Sequence, residues 1–150
     1  MKRRVAVAII FACCLGTGLA QDAKKDTDAL QGGWKVVDYK GKEEAFVKEF
    51  KAKGRIVFEG DMLTIMIGEV KLGEAKYKLD PSKKPKHIDV IPTEGENKDK
   101  AVLGIYALEG DMLTIFSHDD VKLRPKDFTY KAGEVGGLVT LRREPVEKKK

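Results

Sequence analysis

Two histidines, His87 and His118, and two serines, Ser82 and Ser117, are the residues from which acid–base or nucleophilic chemistry could be built. Their spacing works against it. No His-x-x-x-His or Glu-x-x-His pair exists to hold a metal, and His118-Asp119-Asp120 reads as a solvated strand end rather than a ligand set. Ser117 directly precedes His118, and strand alternation sends neighbours to opposite faces, so they do not form a nucleophile–base pair. There is no Gly-x-Ser-x-Gly elbow. Gly133-Glu134-Val135-Gly136-Gly137 lacks the lysine and following helix of a phosphate loop. Acids are plentiful but alternate with lysines, which describes a soluble exterior better than a glycosidase pair. The expectation is a protein that is not an enzyme and needs no cofactor or metal.

Tyr77 and Tyr106 stand apart, because alternation points both inward and gives a barrel interior its polar handles. A small apolar ligand needs a few convergent polar groups to orient it. The competing expectation is that both are core tyrosines with hydroxyls at the barrel rim.

Charge excludes a further class. The chain has 29 basic and 24 acidic residues, a formal +5. Lys2, Arg3 and Arg4 lie in residues 1–20, and without that segment the balance is 26 to 24, or +2. Setting aside Lys148-Lys149-Lys150 leaves 23 to 24, or −1. A nucleic-acid partner is not expected, since phosphate neutralisation needs basic residues gathered on a folded face.

The elements follow from pattern. Residues 1–20 have a basic start, an apolar run from Val5 to Leu15 and small residues Gly18 and Ala20, the layout of an export signal cleaved after Ala20. The run is too short for a stable membrane span in the mature chain, which wants about 20 residues. Both cysteines, Cys13 and Cys14, fall in this segment, so a cleaved chain has neither disulfide nor thiol chemistry. The alternative is lipid anchoring at Cys13. The destination is outside the cytoplasm, periplasmic or extracellular. Residues 21–29 read as a loose polar lead-in, 30–144 as one domain and 145–150 as a charged tail.

Within the domain, apolar alternation marks eight short strands joined by turns. A single amphipathic helix over residues 43–52 separates the first two strands, with Phe46, Val47 and Phe50 on one face. Glu59-Gly60-Asp61-Met62-Leu63-Thr64-Ile65 recurs as Glu109-Gly110-Asp111-Met112-Leu113-Thr114-Ile115, predicting one hairpin used twice. The fold class is all-β: an eight-stranded antiparallel up-and-down barrel, favoured over an open sandwich because one helix cannot cover a sheet. The helix is expected to plug one barrel end, with Phe46 and Phe50 lining any ligand entrance.

Leu30-Gln31-Gly32-Gly33-Trp34, Tyr77-Lys78-Leu79-Asp80-Pro81-Ser82-Lys83-Lys84-Pro85-Lys86-His87 and Arg124-Pro125-Lys126-Asp127-Phe128 together resemble the lipocalin-like domain of unknown function found in planctomycete bacteria. The resemblance covers roughly residues 29–144. It implies a small exported calycin-type barrel and no activity. Gly32-x-Trp34 also resembles the first-strand motif of lipocalins, in which the tryptophan closes the barrel floor against an arginine of the last strand. That arginine is Arg143 or Arg142, and strand parity with Val139 and Leu141 favours Arg143. The expected function is a non-enzymatic binding barrel for a small apolar molecule, with a structural or protein-interaction module of the cell envelope, its core filled, as the alternative.

Overall fold

The structure, a computed structural model, describes residues 17–146. The apolar run, Cys13 and Cys14, and Lys148-Lys149-Lys150 lie outside the described residues.

Eight strands form one closed antiparallel barrel in sequence order: β1 (Gly32–Lys40), β2 (Gly54–Glu59), β3 (Met62–Ile67), β4 (Val70–Asp80), β5 (Lys86–Pro92), β6 (Val102–Glu109), β7 (Met112–His118) and β8 (Gly136–Arg143). Closure is made by β1 on β8, where Trp34 faces Arg143 and Val36 faces Leu141. Every strand edge is paired, which is what separates this arrangement from an open sandwich.

The inward alternation reads directly as a core. Trp34, Ile56, Phe58, Leu63, Ala75, Tyr77, Ile88, Tyr106, Leu113 and Leu141 are all buried in one continuous cluster. The repeated segments are both hairpins. Gly60 and Gly110 sit at φ +62° and +59° at their turns, a conformation only glycine adopts without strain. The two also bond their neighbours alike: the Asp61 carbonyl accepts from the Tyr77 amide at 2.9 Å, and the Asp111 carbonyl from the Arg143 amide at 2.8 Å.

Among the described residues there are two helices, not one. The helix between β1 and β2 is α2 (Glu44–Lys53); the other, α1 (Thr17–Leu30), occupies the expected loose lead-in. That expectation failed for a physical reason. The side of α1 turned to the barrel carries Ala23, Asp26, Thr27 and Leu30, so a carboxylate and a hydroxyl stand where apolar periodicity would normally announce a helix. Helix α2 runs into β2 without a loop, the Gly54 amide bonding the Phe50 carbonyl. A Cβ on Gly54 would lie 2.3 Å from that oxygen, so glycine is required there.

A second apolar cluster lies on the outer wall. Ile105, Phe116 and Leu138 point away from the barrel interior and are covered by Phe128 and Tyr130 of the irregular segment 119–135. Arg124 pins this segment, donating to the Gly104 carbonyl at 2.7 Å and to the Asp89 carboxylate at 2.7 Å.

The turn geometry generates a prediction. No atom lies within 4 Å of a Cβ built on Gly60 or Gly110, so the penalty for alanine is conformational alone. Gly60→Ala and Gly110→Ala should each lower stability by about 1–2 kcal/mol, read as a fall in urea midpoint.

Candidate functional site

The polar and aromatic residues singled out by the sequence gather at the two barrel ends. At the first end, Trp34 lies fully buried, and the Arg143 guanidinium stacks over its indole with the carbon 4.2 Å from the ring centroid. Such a contact is worth about 0.5–2 kcal/mol. The same guanidinium donates to the Gln31 carbonyl at 3.0 Å and to the Ala29 carbonyl, while the Trp34 indole N–H donates to the Leu30 carbonyl at 2.8 Å. The C-terminal carbonyls of α1 thus find their donors in a cation and an indole of the barrel floor, which also suits the negative end of the helix dipole.

Tyr77 and Tyr106 are core tyrosines with hydroxyls at this end. The Tyr106 hydroxyl donates to the Asp26 carboxylate of α1 at 2.6 Å, beside the Lys86 ammonium at 2.7 Å from the same oxygen. The Tyr77 hydroxyl donates to the Gly60 carbonyl at 2.8 Å and accepts from the Gln31 amide at 3.0 Å. Gln31 returns to the turn, its side-chain carbonyl accepting from the Gly60 amide at 2.7 Å. The two hydroxyls do not converge on an interior space. They anchor a helix and its exit, roles that Asp26, Gln31 and Lys86 share and that nothing in their spacing revealed.

Titration follows from these contacts. Burial pushes the Asp26 carboxyl up, but hydrogen bonds from Lys86 and Tyr106 and the nearby ammonium outweigh it, and the net shift is downward. Burial first, then the bond to Asp26, pushes the Tyr106 hydroxyl far up.

At the opposite end α2 lies across the barrel mouth. Phe50 is buried in the main core cluster, with Phe46 and Tyr39 packed against it. The Phe46 and Phe50 rings stack at 5.2 Å, and Tyr39 meets both edge-on. The helix sits where a lid would, and its aromatic face is spent on the core.

Between the two ends much of the interior is occupied by side chains, while the inward Ile65, Ile67, Leu79 and Val90 are only partly buried. Trp34, Phe58, Ile88, Tyr106, Leu113 and Leu141 are each at most 1% exposed. Grooves open on the outside instead. One of about 960 Å³ runs along the outer wall past Gly33, Lys35, Arg55, Glu144 and Val146. Another, of about 310 Å³, lies at the rim beside Lys83, Lys84 and Phe128.

The histidines stay apart. His87 begins β5 opposite Asp80, and His118 ends β7 with Nδ1 3.1 Å from the Val135 carbonyl. Among the described residues no group of three histidine, cysteine or acidic side chains is placed to hold a metal ion. None of the described helices is long and apolar enough to cross a membrane.

No family model, curated protein or solved structure matches the chain.

Two predictions concern the first barrel end. Trp34→Ala should cost about 3–5 kcal/mol, as large buried aromatics do, and appear as a lowered urea midpoint. Asp26→Asn should destabilise at neutral pH. The folded-state pKa of Asp26 is lowered, so its stabilisation is present above the unfolded value of about 4 and disappears as pH falls through the folded value. The gap between parent and variant should therefore close in acid. Tyr106 has the opposite sign: its contribution holds below about pH 10 and fades as pH rises beyond it.

Proposed function

We propose that this chain is a non-enzymatic interaction module of the cell envelope, a lipocalin-like barrel that works through its outer surface. One observation carries the reading: both hydroxyls that could have oriented a ligand inside the barrel are bonded to α1 and the β2–β3 turn. The largest inward side chains are almost fully buried, and a pocket for a small molecule needs open volume with convergent polar groups. Export through residues 1–20, with cleavage after Ala20, belongs to the same proposal. So does descent from the lipocalin-like domain that the Gly32-x-Trp34 start and the Arg143 partner suggest. The α1 contacts described above, through Asp26, Ala29 and Leu30, lie beyond Ala20, so cleavage there leaves them in place.

A carrier of a small apolar molecule is the second reading, and the position of α2 across a barrel mouth is what favours it. Native mass spectrometry of the exported protein separates the two. The interaction module should appear at the mass of the polypeptide alone; a stoichiometric copurified apolar molecule would overturn it. Phe46→Ala with Phe50→Ala supplies a second measurement. For a filled core the pair should only lower stability, by about 3–5 kcal/mol for the buried Phe50 ring and less for the half-buried Phe46. Faster uptake of a fluorescent apolar probe in that variant would favour the carrier.

A further inference from the structure

The outer wall carries a row of three cations, of which only Arg55 makes an ion pair among the described residues. Register places Arg142 of β8 opposite Lys35 of β1, and Lys35 opposite Arg55 of β2. Three like charges therefore stand side by side on adjacent strands, within about 10 Å. Like charges directly opposite one another destabilise a sheet. Met112 lies beyond Arg142, and Met66 beyond Arg55, so the row is flanked by apolar side chains.

Nearby acids among the described residues leave two members of this row, Lys35 and Arg142, unpaired. Asp38 pairs with Lys51 of α2 at 2.6 Å, and Glu74 pairs with Lys71. Glu144 takes Arg55 alone, through a two-pronged contact at 2.7 and 2.9 Å. That pair lies flat over Gly33, where a Cβ would come within 2.2 Å of the carboxylate. Among the described residues, Lys35 and Arg142 have no carboxylate within ion-pair distance. The Glu144 amide is tied to the Gly33 carbonyl at 2.9 Å, so the chain leaves the barrel beside this row. Four residues past Glu144 the sequence reads Lys148-Lys149-Lys150.

We infer that this face binds the headgroups of an anionic phospholipid surface. The proposal rests on the interaction-module reading and names the partner of one of its surfaces. Charge selects an anionic partner. The apolar companions select lipid over a soluble polyanion: Val37 is 41% exposed and Val146 87% exposed, beside cations that reach the same side. Basic and apolar side chains presented together suit the boundary between headgroups and acyl chains, whereas an acidic polysaccharide offers the valines nothing. The attraction is of the kind that polybasic segments have for anionic leaflets, and salt should screen it.

The test is co-sedimentation of the full chain with phosphatidylcholine vesicles, with or without about 30% phosphatidylglycerol. The readout is the ratio of binding to the two, compared between parent and variant in the same full chain, because Lys2, Arg3 and Arg4 also favour anionic lipid. The parent should prefer the anionic vesicles, and raising salt to about 0.3 M should abolish the preference. Lys35→Gln with Arg142→Gln should lower the ratio about tenfold or more, with an unchanged or raised urea midpoint because a like-charge contact is removed. Equal binding to both vesicles overturns the proposal. So does a preference lost with Lys148→Gln, Lys149→Gln and Lys150→Gln but indifferent to Lys35 and Arg142. Retention on a sulfated polysaccharide without vesicle binding overturns it in favour of a soluble polyanion. A bare polypeptide mass with no vesicle preference removes only the lipid assignment, whereas a copurified apolar molecule removes the filled-core reading.

Discussion

The Arg143 guanidinium lies at the point where three parts of this protein meet. It belongs to the last strand, covers the indole of the first and receives the final carbonyls of α1. Barrel closure and helix docking are consequently one event. Moving β8 by one residue along β1 would turn Arg143 outward, uncover Trp34 and leave the end of α1 without its donors, because side chains alternate along a strand. The planar fork matters as much as the charge. It can stack on a ring while donating from its edges, which an ammonium cannot do.

Around that point the polar groups of the barrel end form a closed set. Asp26 reaches Tyr106 and Lys86, and Gln31 reaches Tyr77 and the β2–β3 turn. Among the described residues, every buried side-chain nitrogen or oxygen has a partner. This satisfaction has a functional cost. Leaving a buried hydroxyl unpaired costs about 1–3 kcal/mol, so a ligand drawing on Tyr77 or Tyr106 would first have to replace the bonds they already make. At the opposite end the aromatic face of α2 packs onto the core beside β1, β2 and β3. One end of the barrel is thus closed by hydrogen bonds, and the other is packed with stacked rings.

The outer wall is not uniform. Over β6, β7 and β8 it is apolar and covered by segment 119–135, with Arg124 holding the cover down. Over β8, β1 and β2, nearer the α1 end, it is cationic and uncovered. The same strand carries both surfaces because the outward positions along β8, Leu138, Thr140 and Arg142, fall at different heights on the barrel. The twinned hairpins at Gly60 and Gly110 contribute equivalent turns to the α1 end, each bonding the strand that follows.

The strands, the paired hairpins, the helix between β1 and β2 and the inward residues were legible in the sequence, because each is written in local periodicity: two for strands, 3.6 for helices, glycine where φ must be positive. The partnership of Trp34 with Arg143 was legible too, through the Gly-x-Trp start and the parity of β8. Helix α1 was not, because its docking face is anchored by Asp26 rather than by an apolar stripe, and a carboxylate announces a helix face only once its partner 80 residues away is known. The fate of Tyr77 and Tyr106 was open for the same reason. Alternation determines which way a side chain points, whereas the atom waiting for its hydroxyl is supplied by a distant segment. The row of Arg142, Lys35 and Arg55 likewise came into being only with closure, since register between the first and last strands is a property of the barrel and of no single stretch of chain.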